Sequence, residues 1–254
     1  MVEIKSMLNG ELIYREDLTR ELIIIRVKPD AGVADFIPGQ YLAIGLPGSA
    51  VRVDWANPEV EAPAPDKIIK RAYSVASPPS EKGYYEFYIS LLADGIFTSR
   101  LAALKVGDRL FIAPKVTGTF TLTDVPKEKS LILVSTGTGL APYISMMKDP
   151  VTKDRDLTIV HGVRKLSDLA YQDEIKRFSN VKYQPFVSRE DNLPSWCNKG
   201  RVSAYFMDLS PEQGHVFMCG NPDMIEEGEK VLCSRGFTVH SRKTPGNLHV
   251  EKYW

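Results

Sequence analysis

The chain has 254 residues, with 32 Lys+Arg against 32 Asp+Glu, so its formal net charge is zero. A neutral chain lacks the basic excess of a protein that holds nucleic acid by neutralising phosphates, and no apolar run approaches the roughly 18 residues of a membrane-spanning helix. Three scattered cysteines, Cys197, Cys219 and Cys233, form no C-x-x-C pair, which argues against a disulfide frame, a zinc site or an iron–sulfur cluster and points to a reducing cytoplasm.

The first five residues show no basic stretch followed by an apolar one, so no signal peptide is expected. Residues 1 to about 123 alternate short apolar segments with Gly/Pro turns. Strands are predicted over 22–27, over 41–46 after the turn Pro38-Gly39, over 85–91, and over 109–112 after Gly107-Asp108. Strands at this spacing predict an antiparallel barrel or sandwich. A short helix fits residues 98–104, with Thr98 as N-cap. The stretch 47–66, rich in Pro, Ala, Glu and Asp, reads as a solvated surface loop.

From about Ser130 the pattern becomes strand–helix–strand. Residues 131–135 form a continuous apolar run, as in a buried parallel strand. A helix starts near Leu140-Ala141-Pro142, with Pro142 in its first turn. Further strands are predicted over 157–161, 181–187 and 215–219, and helices over 167–178, with Ser167 as cap, and over 222–234. This is a doubly wound α/β pattern. The boundary between the two patterns falls in the polar stretch 124–129, so the expected domains are 1–124 and 125–254.

Three constellations carry chemistry. Gly137-Thr138-Gly139-Leu140-Ala141-Pro142 follows a buried strand and opens a helix, where glycines let the backbone approach a diphosphate. It departs from G-x-G-x-x-G at Pro142, and a ligand-free strand-to-helix turn is the other reading. Arg164, Arg189 and Arg201 follow later strands. Arginine there, in place of Asp or Glu, favours a 2′-phosphorylated dinucleotide over NAD; solvated surface arginine is the alternative. Arg71-Ala72-Tyr73-Ser74 offers a guanidinium for a diphosphate, a ring for a flat heterocycle and a hydroxyl for a ring nitrogen. On its own, Tyr73 reads as a half-buried sheet aromatic.

Five motifs stand in one order. They are Phe36-x-Pro38-Gly39-Gln40-Tyr41, Arg71-x-Tyr73-Ser74, Gly95-x-x-Thr98-Ser99-Arg100-Leu101, Gly137-Thr138-Gly139-x-Ala141-Pro142 and Cys219-Gly220-Asn221-Pro222. In order and spacing the chain resembles the ferredoxin–NADP(+) reductase family, and most of all its bacterial ferredoxin/flavodoxin members. The resemblance implies an FAD-binding antiparallel β-barrel followed by an α/β NADP(H)-binding domain. Arg71 and Ala72 would hold non-covalent FAD, Tyr73 would stack on the isoalloxazine, and Ser74 would hydrogen-bond near N5. Tyr88, Ile89 and Ser90 would line the ribityl or adenosine region, and Ile96, Phe97 and Thr98 would meet the diphosphate. Gly137, Thr138, Gly139, Val163, Arg164, Ser188, Arg189, Arg201, Cys219 and Gly220 would bind NADP, with Thr138 near both rings and Cys219 beside the nicotinamide. Tyr253 would cover the flavin face opposite Tyr73, and Trp254 would stack on the adenine. Glu251 would either assist proton transfer or position the tail. Ser74, Cys219, Glu251 and Tyr253 are thus the candidate catalytic residues.

The implied reaction passes electrons between NADPH and ferredoxin or flavodoxin by hydride transfer and two one-electron steps. The alternatives are a reductase serving an oxygenase component or free flavin, and a non-catalytic flavin-binding module. The expected protein is a cytoplasmic monomer without metal. Acidic carriers would meet local basic clusters, for which Lys67, Lys70 and Arg71, and Arg100, Lys105 and Arg109, are the candidates.

Overall fold

A computed structural model of the chain describes residues 4–253. In chain order it forms α1 (Ile4–Met7), β1 (Gly10–Thr19), β2 (Leu22–Pro29), β3 (Tyr41–Pro47), β4 (Ile68–Ser74), β5 (Tyr85–Ser90), α2 (Thr98–Leu101) and β6 (Arg109–Ile112). There follow β7 (Leu131–Thr136), α3 (Ala141–Lys148), β8 (Leu157–Val163), α4 (Gln172–Ile175), β9 (Val181–Val187), β10 (Asn198–Lys199), β11 (His215–Gly220), α5 (Pro222–Ser234) and β12 (Leu248–Lys252). The chain divides into two compact units, one ending at Thr119 and the next starting at Phe120. The division falls ahead of the polar stretch 124–129 because Phe120 packs edge-on against Phe217 (ring centroids 5.2 Å) and against Tyr143 (6.2 Å), inside the second unit's core.

The first unit is a six-stranded antiparallel sheet in the order β4-β3-β6-β1-β2-β5. Its inward side chains, among them Leu12, Ile23, Ile25, Ile44, Phe87 and Leu110, form one apolar core. The two edge strands curl toward one another: the Tyr73 ring meets Phe87 at 6.5 Å, and the Ala76 N–H donates to the Glu86 carbonyl (2.8 Å). That is the barrel closure that removes exposed sheet edges. β1 escapes a reading by hydrophobic alternation because its central residues are polar and part-exposed, yet it pairs with β2 almost throughout, with two register shifts.

The stretch 47–66 is a largely exposed surface loop, as its composition predicts, but it is tied down at several points. Gly48 and Ser49 N–H groups bond the Lys67 and Pro65 carbonyls (2.8 and 3.0 Å), Val53 N–H bonds the Ser99 carbonyl (3.0 Å), and Asn57 N–H bonds the Ala93 carbonyl (3.0 Å). Arg100, 3 % exposed, clasps it: its guanidinium donates to both Glu59 carboxylate oxygens (2.5 and 3.0 Å), to the Gly48 carbonyl and to the Ile96 carbonyl. Ala50, Val53 and Trp55 pack against the core beneath.

The second unit is a six-stranded parallel sheet in the order β10-β9-β8-β7-β11-β12. β7 is buried along 131–135, as expected of a strand covered on both faces. The predicted helix over 167–178 is broken. Residues Leu166–Asp168 make a 3-10 turn, Leu169 and Ala170 are buried, Tyr171 has φ 60, and only Gln172–Ile175 is α-helical. The reason is packing: Leu169 joins Val163 and Val187 in a small apolar cluster that a continuous helix would pull apart. Residues 248–252 pair in parallel with β11 as an edge strand. Among the described residues no helix is long and apolar enough to cross a membrane.

Candidate active site

Edge strand β4 is open in its middle, where Lys70, Arg71 and Ala72 are all exposed. An ordinary half-buried strand would alternate. Among the described residues Arg71 makes no ion pair; its guanidinium bonds only the neighbouring Lys70 carbonyl (2.8 Å). Two residues on, the Tyr73 ring leans on Phe87 and on Phe97 (centroids 6.5 and 5.9 Å). Burial pushes its phenol up, so the ring stays neutral. Ser74, paired with Tyr41 of β3, is buried beside it. A cation, a braced aromatic platform and a hydroxyl thus stand within four residues of one edge, a set that fits a flavin carrying a diphosphate.

The remaining first-unit residues contribute mainly backbone. Tyr88 and Ile89 are buried, with Ser90 partly open, on the other edge strand, β5. Ile96 is exposed while Phe97 is buried behind Tyr73. Thr98 does not cap α2. Phe97 stands at that position, and the Thr98 hydroxyl instead bonds the Leu92 N–H and carbonyl (3.1 and 3.3 Å), fixing the 92–98 turn. Of the two basic clusters, Lys67, Lys70 and Arg71 are exposed. In the other, Arg100 lies buried on Glu59 and Arg109 is paired with Asp30, which leaves Lys105 as its exposed member.

In the second unit the strand order runs outward from β7 to β10 and then resumes on the other side of β7 with β11. In open α/β sheets ligands lie outside the carboxyl ends of the strands at such a reversal. Here those ends are two interlocked turns. Gly137 takes φ +52, a conformation that other residues adopt at a cost. A side chain on Gly139 would overlap the Cys219 carbonyl, so only glycine lets the two turns approach. Asn221 N–H donates to the Thr136 hydroxyl (2.9 Å), and the Asn221 side chain caps α5 at the Met224 N–H (3.1 Å). This backbone cradle fits a dinucleotide diphosphate.

Cys219, Glu251 and Tyr253 come together at this end. Cys219 is register partner to Glu251, and Tyr253 N–H donates to the Gly220 carbonyl (3.0 Å). Burial and the Glu251 carboxylate push the Cys219 thiol well up, against a smaller opposing hydrogen bond from the Tyr253 side chain. Cys219 is therefore a neutral thiol and no nucleophile. Trp254 lies outside the described residues.

Arg164, Ser188, Arg189 and Arg201 are exposed at the carboxyl ends of β8 and β9 and just past β10. Val163 is buried, and its carbonyl receives the Ser188 N–H (3.1 Å). Arg189 N–H bonds the Arg164 carbonyl (2.9 Å), which holds these two residues side by side. Among the described residues none of the three guanidinium groups makes a hydrogen bond or ion pair. By contrast, Arg15, Arg26, Arg52, Arg100 and Arg109 are all paired with acids. Three exposed guanidinium groups without an acidic partner, at one end of the sheet, carry the kind of charge that pairs with a phosphate ester.

Two features were not read from the sequence. Phe87 and Phe97 brace Tyr73. His161 is fully buried beneath the glycine turn, its Nε2 3.0 Å from the Gly137 carbonyl and its Nδ1 3.2 Å from the Tyr183 hydroxyl. The available signal was a lone histidine inside the apolar run of β8.

Comparison with known proteins agrees with this division. Residues 57–120 match the oxidoreductase FAD-binding domain family, and residues 133–230 match the oxidoreductase NAD-binding domain family. A ferredoxin–NADP reductase of Pseudomonas aeruginosa is 36 % identical over 239 residues, covering 85 % of this chain and 86 % of that protein. A flavodoxin/ferredoxin–NADP reductase of Buchnera aphidicola is 34 % identical over 204 residues, covering 74 % and 82 %. The fold is shared with a crystal structure of a ferredoxin NADP+ reductase from Neisseria gonorrhoeae with bound FAD and NADP, at TM-score 0.81 and 23 % identity over 96 % of this chain and 97 % of that one.

Proposed function

The chain belongs to the ferredoxin–NADP reductase family, and from that premise we propose that it passes electrons between NADPH and ferredoxin or flavodoxin through non-covalent FAD. The bound flavin supplies the exchange between a two-electron hydride donor and one-electron carriers. The chain supplies orientation and electrostatics. Arg71 neutralises the flavin diphosphate, Tyr73 lies against the isoalloxazine, and the backbones of 88–90 and 96–98 bound the rest. Ser74 holds a hydrogen bond at the reacting edge of the ring. Gly137, Thr138 and Gly139 receive the coenzyme diphosphate. Cys219 and Gly220 flank the nicotinamide, and the neutral Cys219 thiol packs without reacting. Tyr253, with Glu251 behind it, shields the reduced ring from solvent. Exposed Lys67 and Lys70, beside the Arg71 that the flavin diphosphate occupies, give an acidic carrier a local positive face despite zero net charge. Three unpaired cysteines among the described residues support residence in a reducing cytoplasm.

The observation that carries the coenzyme assignment is the exposed, unpaired trio Arg164, Arg189 and Arg201. Each charge-assisted contact to a 2′-phosphate contributes about 1.5–3 kcal/mol, a factor of ten or more. Arg164→Ala combined with Arg189→Ala should raise the NADPH KM at least about tenfold while the NADH KM stays within about twofold. Reduction of cytochrome c with NADPH, with and without added ferredoxin or flavodoxin, gives the readout. Equal changes for both coenzymes would refute the 2′-phosphate assignment. A purified protein that takes up no FAD would refute the flavoprotein reading.

A further inference from the structure

We propose that His161 is a positioning residue for the coenzyme diphosphate, aiming the Gly137–Thr138 peptide so that its N–H faces the ligand. The inference rests on the nicotinamide-coenzyme reading above and adds a residue to it.

His161 sits in β8, in register with Ser135 of β7, directly beneath the turn that follows β7. The ring is fully buried, and both nitrogens have partners on neighbouring chain segments: the Tyr183 hydroxyl of β9 at Nδ1 and the Gly137 carbonyl at Nε2. A carbonyl only accepts, so Nε2 carries the proton and Nδ1 accepts from the Tyr183 hydroxyl. One polar line, Tyr183 O–H to His161 to Gly137 C=O, thus crosses three adjacent segments at the carboxyl edge of the sheet. Burial holds the imidazole neutral, with its pKa lowered to about 4, so this arrangement persists at working pH.

The consequence is set by the peptide plane. There are no cis peptide bonds among the described residues, and in a planar trans peptide the C=O and the following N–H point in opposite directions. Drawing the Gly137 carbonyl down onto His161 therefore turns the Thr138 N–H away from the buried ring, toward the open end of the strands. Gly137, at φ +52, opens a 3-10 turn over Gly137–Leu140 whose own bonds restrain it, and the His161 contact adds a second anchor on its carbonyl from outside that turn. His161 thus stiffens a turn that opens on a permissive glycine, and the Thr138 donor is held from two sides. Such preorganisation raises affinity by removing an ordering cost, not by adding a contact.

Side-chain geometry offers a discriminating pair. A glutamine amide nitrogen reaches about as far as imidazole Nε2, whereas an asparagine amide reaches only about as far as Nδ1. Both substitutions disturb the packing, but only His161→Gln keeps a donor for Gly137. NADP+ titrated into each FAD-loaded protein gives the dissociation constant, and steady-state ferricyanide reduction gives KM and kcat. His161→Asn should weaken NADP+ binding about tenfold and raise the NADPH KM in step, the worth of one buried hydrogen bond. Its kcat should fall far less, and its FAD content should stay that of the native protein. His161→Gln should restore most of the affinity. If His161→Asn does not fold, Tyr183→Phe carries the test, with an expected loss of about threefold in NADP+ affinity from the freed ring. Equal losses in the Gln and Asn proteins, or unchanged affinity in Asn (or in Tyr183→Phe where that stands in), would overturn the inference. A native protein that holds FAD but binds no NADP+ would overturn the coenzyme reading itself.

Discussion

Cys219 shows how position decides the chemistry of a residue. It stands at the carboxyl end of β11, where the Gly139 turn meets its carbonyl. Full burial and the Glu251 carboxylate both oppose its ionisation. The thiolate is the alkylated species, so reactivity follows the thiolate fraction as well as access. Cys233, by contrast, is exposed on α5. Iodoacetamide at pH 7.5 should label Cys233 readily and the native Cys219 far more slowly, because burial opposes both its ionisation and the reagent's access. In urea the two should react alike. Mass spectrometry of the labelled peptides gives the rates, and rapid labelling of native Cys219 would sink the neutral-thiol assignment.

Among the elements, the stretch 47–66 gains a buried ionic clasp, Arg100 on Glu59, beside its backbone bonds and the longer Arg52–Glu59 pair (3.7 Å). Arg100 is 3 % exposed and Glu59 12 % at their side chains, and Glu59 is held below the usual carboxylate range mainly by its hydrogen bond with Arg100. Removing one member of such a pair leaves an uncompensated buried charge, at a cost of about 3 kcal/mol or more, whereas replacing both with apolar side chains costs far less. Glu59→Ala should therefore lower unfolding stability by about 3 kcal/mol, and Glu59→Leu with Arg100→Met should recover most of it. A urea midpoint for Glu59→Ala indistinguishable from the native one would refute the clasp. This pair also marks what the sequence could not convey. The two residues lie 41 positions apart, and nothing local to 47–66 announces a buried partner. The same holds for β12, whose strand character comes from pairing with β11, and for the 167–178 segment, where packing of Leu169 overrides helical propensity. The glycine turn, by contrast, was legible because its signal is local: a buried strand, two glycines and a proline in six residues. So were Arg164 and Arg189, since each follows a strand that can be read by itself, whereas the two-residue β10 ahead of Arg201 leaves no such signal.

Across the whole molecule, titratable chemistry is divided as sharply as the fold. All four histidines, His161, His215, His240 and His249, belong to the second unit. Three of them cluster: His215 Nδ1 lies 3.0 Å from His249 Nε2, and His240 stacks on His249 at 4.5 Å, which in turn stacks on Phe217 at 4.1 Å. Asp124 lies 3.7 Å from His240, while Lys129 and Arg155 add positive charge near His215. Burial lowers His161 to about 4, and burial, with the proximity of His240 and His215 opposing a further positive charge, lowers His249 to about 3. A histidine held neutral in the folded state binds fewer protons than its unfolded counterpart at 6.5. Stability therefore rises with pH through this window, is fully present above about pH 7, and is lost as pH falls from 6.5 toward the folded values. His161 alone accounts for about 2 kcal/mol between pH 7.5 and 5, with His249 and His215 acting in the same direction. The depressed carboxylates, such as Glu59 and Asp30, act lower, below their unfolded values near 4. Urea unfolding at pH 7.5, 6 and 5, with hydrogen exchange to place the loss, should show protection falling across β7 to β9, β11 and β12 while β1 to β6 hold. His161→Gln should flatten that slope by about 2 kcal/mol, because an amide does not titrate. A flat native profile between pH 7.5 and 5, or a loss confined to β1 to β6, would contradict the burial of these rings as neutral groups.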